Sequence, residues 1–291
     1  MRQFFWLFTS FLFLSSCTQY DKSELDNLNG DVRVIGHAGS GFTSWWPFNA
    51  MPGNSMASLK EALKNGADGL EVDVHMTSDG NFILYHDNKL ESKTHLRGCP
   101  SAYPIDSLKG QAYKLDFPFS LFGEHELLAL DDLILYLKSL DEFPELHLDL
   151  RNHSECEDED WDKKWELELI NRLKEKLIEW DIPEEKVILI SYSRAMLNKG
   201  SRINMKARLS FEIVGEVESG IIWAKKHGIK IITIKPKLLT KELSKRLHQE
   251  GFEVITFGAK SKSGSKQLLE LNPDVIQSNN VPALLSLLGR D

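Results

Sequence analysis

The chain has 291 residues, 43 acidic side chains against 35 basic ones and a formal charge of −8. An acidic balance of this kind argues against nucleic acid as a partner. Its 42% hydrophobic residues and its length suit one large domain of barrel size, with no second domain needed.

Residues 1–16 hold a single basic residue, Arg2, ahead of an apolar run over 4–14 that is broken only by Thr9 and Ser10. The run is too short to span a bilayer and ends in small residues, so it reads as an export signal. Leu14-Ser15-Ser16-Cys17 resembles a bacterial lipobox, which implies that the mature chain begins at a lipidated Cys17 and meets a membrane through that anchor. Thr18, rather than Asp, after the cysteine points by analogy to the outer membrane. Losing residues 1–16 removes one base and no acid, which takes the charge from −8 to −9. Residues 17–30, polar and turn-prone beyond the cysteine, read as a tether, and 31–291 as the folded domain. Cys99 and Cys156 are then an even pair in an exported protein and are expected to form a disulfide.

Short apolar strand patterns fall at 32–37, 69–75, 146–151, 186–192, 207–213, 229–235, 252–257 and 274–278. Helical patterns follow them near 55–65, 130–140, 161–180, 195–199, 217–227, 241–249, 262–270 and 281–288. Strand then helix, eight times over, predicts a (β/α)8 TIM barrel, with a doubly wound open sheet as the alternative. Residues 88–126 are long for a strand-to-helix loop and read as a small insertion after the second strand.

In the barrel fold the chemistry sits at the carboxyl ends of the strands. On the second strand, GLEVDVH, alternation puts Glu71, Asp73 and His75 on one face and Leu70, Val72 and Val74 on the other. Two neighbouring carboxylates away from water need a cation or a proton. Asp79-Gly80 marks a turn, and the short strand after it ends in His86-Asp87, returning an imidazole towards the acids. Acids plus imidazole point to metal-assisted hydrolysis. The first strand ends at His37. On the third, His147, Asp149 and Arg151 share a parity, so one cation could meet three carboxylates from two strands, with His147 lower down as a core histidine. Later strand ends offer Tyr192, Glu212, Lys235 and Asn279. The loop after the first strand is dense in aromatics, with Phe42, Trp45, Trp46 and Phe48, and either covers the rim or receives part of a substrate.

His37-Ala38-Gly39, Gly53-Asn54-Ser55, Glu71-Val72-Asp73 with Thr77-Ser78-Asp79-Gly80 and His86-Asp87, and Asp149-Leu150-Arg151 together resemble the glycerophosphodiester phosphodiesterase family. The resemblance implies a TIM barrel, a phosphodiester substrate, Glu71, Asp73 and Asp149 as metal ligands, and His37 and His86 as an acid/base pair. Ala38 stands where the family pattern has arginine and Gly53 where it has glutamate, and Asp149-x-Arg151 replaces a Glu-x-Lys. Arg151, with its planar fork, and Lys235 are expected to face phosphate oxygens, with Asn54, Trp45 and Trp46 as further substrate contacts.

An all-oxygen ligand set favours one hard divalent cation, Mg²⁺ or Ca²⁺. His37 is expected as acid and His86 as base. The expected reaction is hydrolysis of a glycerophosphodiester to glycerol 3-phosphate and an alcohol. The alternatives are phospholipase D-like (sphingomyelinase D-type) cleavage of a lipid headgroup and a non-catalytic binding lipoprotein on the same barrel, which Ala38 and Gly53 would favour.

Overall fold

The computed structural model describes residues 19–151 and 154–290. The export signal and Cys17 lie outside the described residues. Eight parallel strands close into a barrel: β1 (Arg33–His37), β2 (Gly69–Met76), β3 (Glu145–Leu150), β4 (Val187–Ser191), β5 (Arg208–Ile213), β6 (Ile231–Ile234), β7 (Glu253–Gly258) and β8 (Val275–Ser278). Closure is explicit, because β1 pairs with β2 on one side and with β8 on the other. The strand patterns were legible because most of their positions are apolar and buried on both faces, as in parallel barrel strands.

The intervening helices are α1 (Met56–Lys64), α2 (Leu130–Lys138), α3 (Glu159–Trp180), α4 (Arg194–Arg202), α5 (Val217–Lys226), α6 (Lys241–Gln249), α7 (Lys262–Glu270) and α8 (Val281–Leu287). Their starts are written in polar residues. Ser55, Asp158, Ser193, Thr240, Ser261 and Asn280 each accept a hydrogen bond from a first-turn N–H, satisfying donors that the helix itself leaves unpaired. Asp158, Glu159 and Asp160 thus form the cap and first turn of α3.

Two apolar layers follow from strand alternation. Inside the barrel, Ile35, Ile188, Ile190, Ile231, Ile255 and Val275 pack together, while the opposite parity, such as Leu70, Val72, Leu146 and Leu148, meets the helices. His147 is fully buried inside, donating to Glu145 Oε1 at 2.7 Å and accepting from Gln277 at 3.0 Å, the core role expected for it.

After β2 the chain turns back in a short antiparallel strand, Phe82–Leu84. The insertion that follows carries its own small core, in which Tyr85, Leu90, Leu108 and Leu127 are buried. A Cys99–Cys156 disulfide, with Cα atoms 6.1 Å apart, joins it to the segment after β3.

The described part of the expected tether is not free. Tyr20 and Leu25 are buried against the barrel, and Tyr20 N–H donates to Leu287 O. Asp26 and Leu28 N–H groups donate to the side chains of Asn272 and Asp274. These partners lie at the amino-terminal end of β8, so residues 19–28 run across the barrel floor, opposite the mouth. A polar composition concealed the docking because the segment is held mainly by hydrogen bonds to its backbone.

Candidate active site

Inward parity carries His37, Glu71, Asp149, Glu212, Thr233 and Phe257 to one cavity of about 210 Å³ at the carboxyl ends of the strands, together with His86, Arg151 and Lys235. Register sets the neighbours: His37 pairs with Glu71 across β1 and β2, and Asp73 with Asp149 across β2 and β3.

Glu71, Asp73 and Asp149 each offer an oxygen within 4.8 Å of the others. Glu71 and Asp73 are almost fully buried. Burial, then the charges of Asp73 and Asp149, raise the Glu71 carboxyl well above the usual range. Burial likewise pushes Asp149 up to about 7. Asp73 goes the other way: burial works to raise it, but Arg151, His86 and the hydrogen bond from Asn54 outweigh burial and hold it at about 2. Three oxygen donors crowded around one point, two of them inclined to keep a proton, fit a hard divalent cation.

Arg151 lines the cavity, but its fork is engaged by the acids there. Its Nε donates to Asp73 Oδ1 at 2.9 Å, its Nη2 contacts the same oxygen, and Nη2 lies 2.8 Å from Asp149 Oδ2. Buried acids draw the nearest cation, and the guanidinium geometry suits a bridge between two of them. Lys235 is exposed at the cavity edge, in position to reach an anion there.

Asn54 departs from expectation in a similar way. It is buried in a left-handed conformation (φ 65°), donates from Nδ2 to Asp73 Oδ2 at 2.7 Å and accepts from the Asp73 N–H at 3.1 Å. It positions a carboxylate and does not face the cavity. Trp45 and Trp46 also lie outside the cavity, 66% and 86% exposed on the rim. His75 shares parity with the acids but is buried beneath the insertion, and burial holds it at about 3, so it stays neutral.

The two histidines sit in contrasting surroundings. His37 Nδ1 donates to Asn279 Oδ1 at 2.8 Å, which leaves Nε2 as the lone-pair nitrogen, 3.8 Å from Glu71 Oε2. Burial lowers its pKa. His86 Nδ1 donates to Asp87 Oδ1 at 2.7 Å, and that hydrogen bond raises the imidazole against the effect of burial. Phe42 fills the gap, its ring centroid 5.5 Å from that of His37 and 5.1 Å from that of His86, edge-on to both.

Phe42 also accounts for Ala38 and Gly53. A Cβ on Gly53 would stand 2.9 Å from both the Ala38 Cβ and the Phe42 ring, closer than real Cβ atoms approach. The small pair leaves room for an aromatic wall where the family pattern has an arginine and a glutamate. Sequence reading did not give Phe42, Asp87 or Asn279 these roles. The inward parity of Asn279, two residues beyond Gln277 on β8, was the available signal for the last.

The model of the glycerophosphoryl diester phosphodiesterase family matches residues 47–283. The chain belongs to that family. A Bacillus altitudinis glycerophosphodiester phosphodiesterase is 41% identical over 58 residues, covering 20% of this chain and 24% of the relative. The chain spans about a quarter of the length of the curated relatives that it matches. Solved structures agree over far more of the fold. An Oleispira antarctica phosphodiesterase in complex with the product sn-glycerol-3-phosphate superposes with a TM-score of 0.71 at 18% identity, covering 88% of this chain and 96% of that one. A glycerophosphodiester phosphodiesterase from Parabacteroides distasonis gives 0.70 at 18% identity, covering 89% and 98%. These structures share the family's barrel with this chain.

Proposed function

We propose that the chain is a phosphoric diester hydrolase that cleaves glycerophosphodiesters to glycerol 3-phosphate and an alcohol. The observation that carries this reading is the convergence of two differently tuned histidines on a three-carboxylate cluster in one cavity. A binding protein has no use for such a pair, and catalytic sites are where shifted titrations gather.

Glu71, Asp73 and Asp149 would hold the divalent cation. Bound there, the cation supplies Lewis acidity to a phosphate oxygen and offsets the charge of the acids. Mg²⁺ and Ca²⁺ both suit the donors, and titrating each into chelator-treated protein decides between them. Lys235, and Arg151 where it is released from the acids, would face phosphate oxygens and stabilise the charge that grows on them.

The surroundings favour the reverse of the acid/base order expected from the sequence. His37, neutral and oriented by Asn279, presents a lone pair suited to take a proton from the attacking hydroxyl or water. His86, whose protonated form the Asp87 hydrogen bond favours, is suited to give one to the leaving alkoxide. Asp87→Asn removes the carboxylate that raises His86. His86 then loses its proton at lower pH, and the alkaline limb of kcat/KM is expected to move down. A limb that stays in place would remove His86 as the acid.

Lipid attachment at Cys17 places the enzyme on a bacterial membrane, the outer one by the Thr18 reading. Mass spectrometry of the amino-terminal peptide from native membranes tests both processing and acylation.

A further inference from the structure

The reaction cavity holds a further carboxylate, Glu212, that neither the cation site nor the two histidines employ. Inward parity at the end of β5 puts it there, opposite Thr233 of β6 in register. Below it the buried Ser210 and Thr233 hydroxyls pair with each other at 2.8 Å. Among the described residues the half-buried Glu212 carboxylate itself has no hydrogen-bond or ion-pair partner. Burial raises its pKa, and the charges of Arg151 and Lys235 work the other way. A carboxylate drawn from water with nothing to accept from is costly. A donor that arrives with the substrate would offset that cost.

The surrounding charges narrow what that donor is. A phosphate oxygen is repelled by the carboxylate, and an ammonium group by Arg151 and Lys235, whose charges both act on Glu212. A neutral hydroxyl meets neither objection. Lys235, just beyond the end of β6, is in reach of the phosphate, so the hydroxyl belongs to the alcohol esterified on that side of the phosphorus. Across the barrel, beside β1 and β2, stand Phe42 and His86, the side that carries the proton donor for the leaving group. We propose that Glu212 accepts a hydrogen bond from a hydroxyl of the glycerol retained on phosphorus, and thereby selects phosphodiesters that carry it. The proposal rests on the phosphodiesterase reading and gives it a specificity residue. It also sets the direction of the substrate: glycerol lies towards β5 and β6, and the leaving alcohol towards Phe42 and His86.

The test uses two nitrophenyl phosphodiesters that differ only in the retained alcohol, glycerol in one and n-propanol in the other. The full chain is assayed with Mg²⁺ and with Ca²⁺ by nitrophenolate absorbance. The parent is expected to prefer the glycerol ester about ten- to a hundredfold in kcat/KM, the range of a hydrogen bond to a charged group. Glu212→Ala should remove most of that preference, and Glu212→Gln, which keeps an acceptor but no charge, should fall between. Both rates come from one protein sample, so loss of folded chain cancels in the ratio. A neighbouring hydroxyl is also able to attack phosphorus, so binding is read separately. Glycerol 3-phosphate should inhibit the parent more tightly than n-propyl phosphate does, and Glu212→Ala should narrow that gap. An unchanged rate ratio in Glu212→Ala overturns the proposal and leaves the phosphodiesterase reading intact. Equal losses on both esters overturn it too, and place Glu212 in the charge balance of the cation site. A collapsed ratio with a persisting inhibition gap assigns the effect to attack by the hydroxyl and removes the binding role. A parent that turns over neither ester sinks the underlying reading as well.

Discussion

His86→Ala is expected to lower kcat for a glycerophosphodiester by about 10²–10⁴-fold, the range that a positioned proton donor contributes. The side chain is half-exposed at the mouth and its main polar partner is Asp87, so its removal leaves no buried group unpaired and thermal stability should hold. His37→Ala is expected to fall in the same range. It differs in detail, because Asn279 loses its imidazole partner and the Phe42 ring loses one of two edge contacts. The leaving group separates the two roles. A substrate whose alcohol leaves readily, such as a nitrophenyl ester, needs little help from an acid, so it should restore much of the His86→Ala rate and none of the His37→Ala rate. Restoration in the opposite variant would return the order to the one expected from sequence.

Glu71→Gln is expected to cost at least about a hundredfold in kcat/KM, equivalent to losing about 2.7 kcal/mol of charge stabilisation when one ligand of the cation site is removed. The substitution is chosen for its structural neutrality. In the metal-free chain, burial and the two neighbouring acids already favour a protonated Glu71, and a glutamine oxygen is able to accept the Ala38 N–H that now reaches Glu71 Oε2 at 2.8 Å. Metal-free Glu71→Gln should therefore melt no earlier than the metal-free parent, while the rise in Tm on adding Mg²⁺ or Ca²⁺ should shrink. A variant with full activity and an undiminished metal-induced rise would remove Glu71 from the site.

The barrel was legible because alternation alone settles which side chains point inward, and eight apolar runs each followed by a helix, six of them capped by a polar side chain, leave few other arrangements. The same parity correctly gathered His37, Glu71 and Asp149 at one mouth. What it did not settle was the direction of polar contacts after arrival. Arg151 and Asn54 were read as groups for a substrate, yet Asp73 holds both of them, and Asp149 shares the guanidinium. Phe42 sits in a loop without periodicity, and its place between two imidazoles depends on the small volumes of Ala38 and Gly53, a relation that no periodic pattern carries. The insertion's small core and the docked segment 19–28 depend on long-range contacts of the same kind.

The measurement that bears most directly on the account is release of glycerol 3-phosphate from glycerophosphocholine by the full chain, with Mg²⁺, with Ca²⁺ and with chelator. Release that requires the cation and disappears in both histidine variants is the predicted result. Release that persists undiminished in chelator, or in His37→Ala together with His86→Ala, would contradict it.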